Sequence, residues 1–172
     1  AVRPDPHPCP IATGSGIGTA LVLDVGSSWT KAALSHAGGI TRLDAFPTPG
    51  ARWRSRLSDL LARAGRVDHV AVSSVAPSAT RALRRLAAQA ASAGGIRFVT
   101  AASAPLAIDY RPADALGADR IADAVAAVAG WGAPVVVADV GTAITCDVVD
   151  AGCRFVGGAI GVFEISRCAP GT

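Results

Sequence analysis

Short apolar blocks separated by turn residues set out the elements of this chain. Ala20 to Asp24 is an apolar run that closes on Val25-Gly26, and extended character resumes from Trp29 to Leu34 after Ser27-Ser28. This pattern predicts a β-hairpin. Gly38-Gly39 separates it from a third strand, Ile40 to Phe46, which Pro47, Pro49 and Gly50 close. Trp53, Leu57, Leu60, Leu61 and Ala64 then recur at helical spacing, with most of the neighbouring arginines off that stripe. Asp68 to Val75 reads as a fourth strand, and Pro77 is suited to open a second helix with Ala79, Leu83, Leu86 and Ala90 on one face. Gly94-Gly95 ends that helix. Ile96 to Val99 is a fifth strand, Ala104 to Pro112 reads as loop, and Gly117 to Ala129 is a third helix with Ile121, Val125 and Val128 as its stripe. Pro134 to Val140, Thr142 to Val149 and Arg154 to Ile160 follow as strands.

The last three strands restart the first three. Leu21-Val22-Leu23-Asp24-Val25-Gly26-Ser27 and Val136-Val137-Ala138-Asp139-Val140-Gly141-Thr142 both run from an apolar strand through Asp and Val-Gly to a hydroxyl residue. The separation is domain-sized, which suggests two similar folds rather than a solenoid. Each copy offers a carboxylate, a glycine that lets backbone approach a ligand, and a hydroxyl that can donate to an oxyanion. Two such turns facing each other would cradle a polyphosphate. The carboxylates would then act through Mg²⁺ or a monovalent cation, since they repel phosphate directly. A single Asp-x-Gly reads more simply as an ordinary strand-to-strand turn; the matched pair shifts the balance towards phosphate.

Composition sharpens this picture at one residue. The 172-residue chain is 51% apolar, but 37 of its residues are alanine and only 5% are aromatic, so small side chains account for much of the apolar fraction. The run from Ala124 to Ala138 is broken by Gly130, Gly132 and Pro134 and is shorter than the ~20 residues a spanning helix needs. Net charge is +3, too mild to imply nucleic acid or an anionic membrane. All the positive side chains are arginine except Lys31, where a compact, flexible ammonium follows the first turn. Residues 1–19 read as a flexible Pro- and Gly-rich leader without a secretory pattern, and a cytoplasmic protein is expected. Cys9, Cys146, Cys153 and Cys168 show neither C-x-x-C nor metal-finger spacing, so reduced thiols are expected.

A third feature is Gly117-Ala118-Asp119-Arg120 at the start of the third helix. Asp119 is favoured there by the helix dipole, and Asp123 lies one turn further on the same side. An ordinary helix-start acid and a base that orients an alcohol towards a γ-phosphate both fit these residues.

Asp24 to Lys31, Ser73-Ser74-Val75-Ala76-Pro77, Tyr110 with Gly117 to Arg120, Asp139 to Ala143, and Gly157-Gly158-Ala159-Ile160 occur in the order seen in type III pantothenate kinases. From about Ala20 to Ile160 the chain resembles that family. The resemblance implies an α/β fold of the actin-like ATPase, ribonuclease H-like kind, a mixed sheet with flanking helices. A first domain would run over residues 20–115 and an incomplete second copy over residues 116–172. It implies phosphorylation of pantothenate by ATP with Mg²⁺ and a monovalent cation, K⁺ or NH₄⁺, in a homodimer.

By position, Asp24, Val25, Gly26, Ser27, Ser28, Trp29, Thr30 and Lys31 look like the first phosphate loop and Thr142 like an ATP contact. Asp119 looks like the catalytic base. Tyr110, Gly117, Ala118, Asp119 and Arg120 look like pantothenate contacts, and Asp139 like the cation ligand. Ser27-Ser28 stand where the family usually has Asn-Thr, which removes an amide donor. Family members also continue past the Gly-Gly-Ala-Ile strand with helices that complete the second domain, so a non-catalytic relative that at most binds nucleotide is the alternative. Gly14 to Thr19 departs from the dinucleotide fingerprint at its third glycine, and it precedes a strand instead of following one.

Overall fold

The computed structural model describes residues 9, 11, 18–89 and 95–162, with residues 86–89 described by backbone alone. Strands β1 (Ala20–Val25), β2 (Trp29–His36) and β3 (Gly39–Pro47) form an antiparallel meander. Helix α1 (Trp53–Ala64) returns the chain so that β4 (His69–Ser74) lies parallel to β1. A parallel pair needs such a crossover, because both strands must start from the same end of the sheet. Helix α2 (Pro77–Gln89) repeats the move and delivers β5 (Ile96–Phe98) beside β4. The resulting sheet has the order β3-β2-β1-β4-β5.

The second sheet is built from β7 (Val135–Val140), β8 (Ile144–Val149) and β9 (Arg154–Gly161), again an antiparallel meander. Its fourth member, β6 (Ala107–Ile108), corrects the expectation of loop over this stretch: it pairs parallel with β9 through Arg154 and Phe155. Two residues carry no periodicity, so the strand exists only because β9 offers its edge. The order is β6-β9-β8-β7, with helix α3 (Ala118–Trp131) packed against β7 and β8 and also reaching β4. This is an α/β architecture of two mixed sheets with flanking helices.

Two apolar clusters hold these layers together. The first joins Leu21, Leu23 and Val25 of β1 to Phe46, Trp53, Leu57, Leu60, Val72 and Leu83. The predicted stripe of α1 is thus the buried one, with Leu61 and Ala64 packed at its margin. On α2 the expected Ala79 and Leu83 are buried; Leu86 and Ala90 lie outside the described side chains. The second cluster joins Ile121, Ala124 and Val128 of α3 to Leu106, Leu116, Val149 and Phe155, with Val125 partly buried against it. Cys9 and Ile11 also pack on this cluster, and Cys9 forms a disulfide with Cys153, with a Cα–Cα distance of 5.8 Å. The expectation of reduced thiols is therefore corrected for this pair, and the leader is anchored at these two residues. The pairing joins residues 144 positions apart, which no local spacing rule detects.

Candidate functional site

The two Asp-Val-Gly turns lie at the ends of β1 and β7 and both close on the glycine N–H, three residues ahead in the first and two in the second. In the first, Gly26 N–H donates to the Trp29 carbonyl at 2.9 Å; in the second, Gly141 N–H donates to Ala143 at 3.0 Å. A Cβ on Gly26 would stand 3.1 Å from the Trp29 carbonyl oxygen, so the tight form of this turn favours glycine. The hydroxyls of Ser28 and Thr142 hydrogen-bond at 3.2 Å, so the turns of the two sheets meet face to face.

The eight residues from Asp24 to Lys31 do not all face outward. Val25 and Thr30 are buried in the first core, so they can offer a ligand only backbone. The Thr30 hydroxyl is tied at 2.9 Å to Thr48 and accepts from Trp53 Nε1 at 2.9 Å, which anchors the start of β2 to α1. Ser27 and Trp29 are exposed, Trp29 at 52%, and Gly26 and Ser28 are half-buried. Lys31 sits opposite Asp24 in the strand register and reaches its Oδ2 at 3.4 Å. Both partners are well exposed, so the pair contributes at most about 1 kcal/mol and leaves the ammonium free to turn towards another anion.

Asp119 stands in the first turn of α3, where its Oδ1 accepts the Arg120 N–H at 2.8 Å. A side chain at Gly117 would run into that oxygen, which gives the glycine before the helix a spatial reason. Gly117 and Ala118 also line a cavity of about 920 Å³ with Ser74, Val75, Thr80 and Thr100; the two Asp-Val-Gly turns are not part of its wall. A smaller recess of about 280 Å³ lies between Asp123, Trp131 and Asp139.

The acidic groups near the turns interact. Burial, reinforced by the charges of Asp139, Asp119, Asp24 and Asp147, pushes the Asp123 carboxyl up to about 6. Five carboxylates thus share one region, drawn from β1, α3, β7 and β8. Among the described residues, no three His, Cys, Asp or Glu side chains converge closely enough to hold a metal ion by themselves.

Arg120 reveals the residue that sequence reasoning missed. Its Nε donates to Asp147 Oδ1 at 2.9 Å and Oδ2 at 3.1 Å, with a further bond from Nη2 to Oδ1. The bonding to Asp147 raises the arginine's pKa further above its ordinary value. Tyr110 and Phe155 lie beside the guanidinium, with ring centroids at 5.8 and 5.7 Å. Asp147 is 1% exposed and shares the inward face of β8 with Val149. A charge at an inward position of an alternating strand was the available signal, because such a charge requires a partner.

These groups first define a class: an α/β protein in which matched strand-ending turns from two sheets meet above an acidic region. A family profile described as type III pantothenate kinase matches residues 20–162, and the chain belongs to that family. It is 41% identical over 96 residues to the type III pantothenate kinase of Thermomicrobium roseum, covering 56% of this chain and 37% of that protein. It is 32% identical over 148 residues to the enzyme of the same name from Syntrophotalea carbinolica, covering 81% and 58%. The chain therefore spans less than two thirds of the length of these relatives. Among solved structures, YeaZ from Pseudomonas aeruginosa aligns with a TM-score of 0.41 at 20% identity, over 90% of this chain and 73% of that one. No described helix is long and apolar enough to cross a membrane.

Proposed function

We propose that this chain carries the phosphate-holding and acceptor-holding parts of a pantothenate kinase, which transfers the γ-phosphoryl group of ATP to a pantothenate hydroxyl. The product would be 4'-phosphopantothenate, the first intermediate of coenzyme A biosynthesis. The observation that carries this reading is the 3.2 Å approach of Ser28 to Thr142. It brings two glycine turns, two hydroxyls and nearby Lys31 to one place, in a chain whose family is named for this reaction. In this reading the fold is the actin-like ATPase kind, with β7 to β9 opening a second copy of the unit begun by β1 to β3. The protein would be homodimeric and cytoplasmic, with the Cys9–Cys153 bond an exception to the reduced thiols usual in that compartment.

The turn amides, Ser27, Ser28 and Thr142 would donate to the phosphate oxygens, and Lys31 would leave Asp24 to meet them. Asp119 would accept the proton of the pantothenate hydroxyl as its oxygen attacks the γ-phosphorus and the bond to the bridging oxygen of the departing ADP breaks. Arg120, beside Tyr110, would hold the pantothenate carboxylate. Asp24 is suited to Mg²⁺ and Asp139 to a monovalent cation; isolated carboxylates fit this role, because Mg²⁺ at phosphates takes one or two carboxylates plus phosphate oxygens and water. Bound cations would neutralise phosphate charge.

The test is phosphorylation of pantothenate by ATP, followed by appearance of ADP and 4'-phosphopantothenate. The Asp119→Asn variant is expected to lose at least a hundredfold in rate, in keeping with loss of a positioned base. A variant as active as the parent would remove Asp119 from the mechanism. A second reading, nucleotide binding without turnover, is favoured by the exposure of Val136, Val140 and Ile160 on β7 and β9. Calorimetric ATP titration alongside the activity assay separates the two.

A further inference from the structure

We propose that Asp147 is a positioning residue for the acceptor: it fixes the guanidinium of Arg120 so that one edge of the fork stays available for the carboxylate of the substrate. This inference rests on the acceptor reading given above for Arg120. Three observations carry it. First, Asp147 occupies two guanidinium nitrogens, Nε and Nη2, while Tyr110 is the other side chain that interacts with the arginine, more weakly than Asp147. A planar fork held along one edge presents the other in a fixed direction, which a flexible ammonium could not do.

Second, the pair is sheltered: the side chain of Arg120 is 12% exposed and that of Asp147 is 2% exposed. Taking a carboxylate and a guanidinium out of water is costly unless the geometry satisfies both, so this placement constrains the arginine strongly. The rings of Tyr110 and Phe155 restrict its remaining motion.

Third, the neighbouring strand leaves room for Asp147. Gly158 is its register partner on β9, and a Cβ there would come within 2.7 Å of Asp147 Oδ1 and would also run into the Cys146 carbonyl. Glycine at that position thus keeps the site where the carboxylate stands. The arrangement places one negative charge behind the arginine, and in the acceptor reading given above the substrate carboxylate would meet its other edge.

The experiment compares pantothenate with pantothenol, in which a CH₂OH replaces the carboxylate, by calorimetry on the full chain. It uses the parent and the variants Asp147→Asn and Asp147→Glu, with folding checked by circular dichroism and ATP affinity measured alongside. The parent is expected to prefer the acid by tenfold or more, as for a hydrogen bond to a charged group. Both variants are expected to fold, to keep ATP affinity within twofold, and to lose most of the acid preference. Asp147→Glu is included because it retains the charge and the partner while displacing the guanidinium. In nitrogen-resolved NMR spectra, one arginine Nε proton should exchange slowly in the parent and rapidly in Asp147→Asn.

Retention or increase of the acid preference in either variant overturns the positioning role, as does loss of the fold in both, which would make Asp147 a structural partner only. A parent that binds ATP but shows no preference for the acid instead overturns the acceptor reading on which the proposal rests, and the proposal with it.

Discussion

Replacing Asp123 by asparagine should stabilise this protein at neutral pH and leave it unchanged in acid. The carboxyl is half-buried on α3, faces Asp24 from β1, Asp119 from its own helix, Asp139 from β7 and Asp147 from β8, and is pushed up from 3.8 to about 6. Because its pKa is higher folded than unfolded, the native state holds the extra proton between these values. Stability therefore falls as pH rises from about 4 to about 6, and the full penalty applies above that. At about 1.4 kcal/mol per pH unit the rise corresponds to about 3 kcal/mol, and solvent screening of a half-buried group reduces this to about 1.5 kcal/mol. Asp123→Asn removes the charge and, among the described residues, breaks no hydrogen bond. For a chain of this size the expected gain in Tm is about 3–6 °C at pH 8 and nothing at pH 4. The assay is thermal unfolding by circular dichroism across that range, in a buffer of tetramethylammonium ions so that small cations do not shield the carboxylates. An equal effect at both pH values, or a loss of stability at pH 8, would refute the electrostatic account.

Two further predictions follow from groups that lock the sheets. Reduction of the Cys9–Cys153 disulfide by a dithiol, or Cys9→Ser, should lower stability by about 5 kcal/mol, since the bond closes a very long loop and Ile11 packs beside it on the second core; an unchanged melting curve after complete alkylation of both thiols would contradict it. Thr30→Val should cost about 1–3 kcal/mol in urea unfolding, because it leaves Trp53 Nε1 and the Thr48 hydroxyl buried without their partner. A cost within experimental error would mean that both groups find other partners.

What was legible in the sequence was local. Gly38-Gly39, Pro47 and the restart at Val136 punctuate the strands, so the meanders β1 to β3 and β7 to β9 follow from turn chemistry and the matched apolar runs. The stripe of α1 was legible because its apolar residues face one cluster. The approach of the two Asp-Val-Gly turns could be expected from their repetition, and Ser28 with Thr142 bears out that they meet. What was not legible depends on distant partners. Strand β6 is two residues long and owes its existence to Phe155. Asp147 lies 27 positions from Arg120; its inward place on β8 signals the need for a partner, but nothing local says which residue that is. Thr30 belongs to the Asp24–Lys31 motif in sequence, yet its side chain points into the core and serves Trp53. Motif membership assigns a residue to a segment; only the register of the strand decides which face it serves.

The charges around the turns show why such a site needs more than its own side chains. Lys31 and Arg120 are the cationic candidates that sequence reasoning assigned to the ligands, and each already faces a carboxylate: Asp24 in the first case, Asp147 in the second. The two pairs differ in kind. The Lys31 pair is exposed and longer, so an incoming phosphate can compete for the ammonium at little cost. The Arg120 pair is part-buried and bidentate, so the arginine is held in place more firmly than Lys31 and meets a further partner only at its other edge. With Asp119, Asp123 and Asp139 also nearby, the uncompensated charge is negative, and a polyphosphate entering that field is opposed unless cations accompany it. In the function proposed above, the acidic surplus would require nucleotide to enter as a cation complex, with Lys31 as the mobile donor to phosphate and Arg120 as the fixed donor to the acceptor's carboxylate.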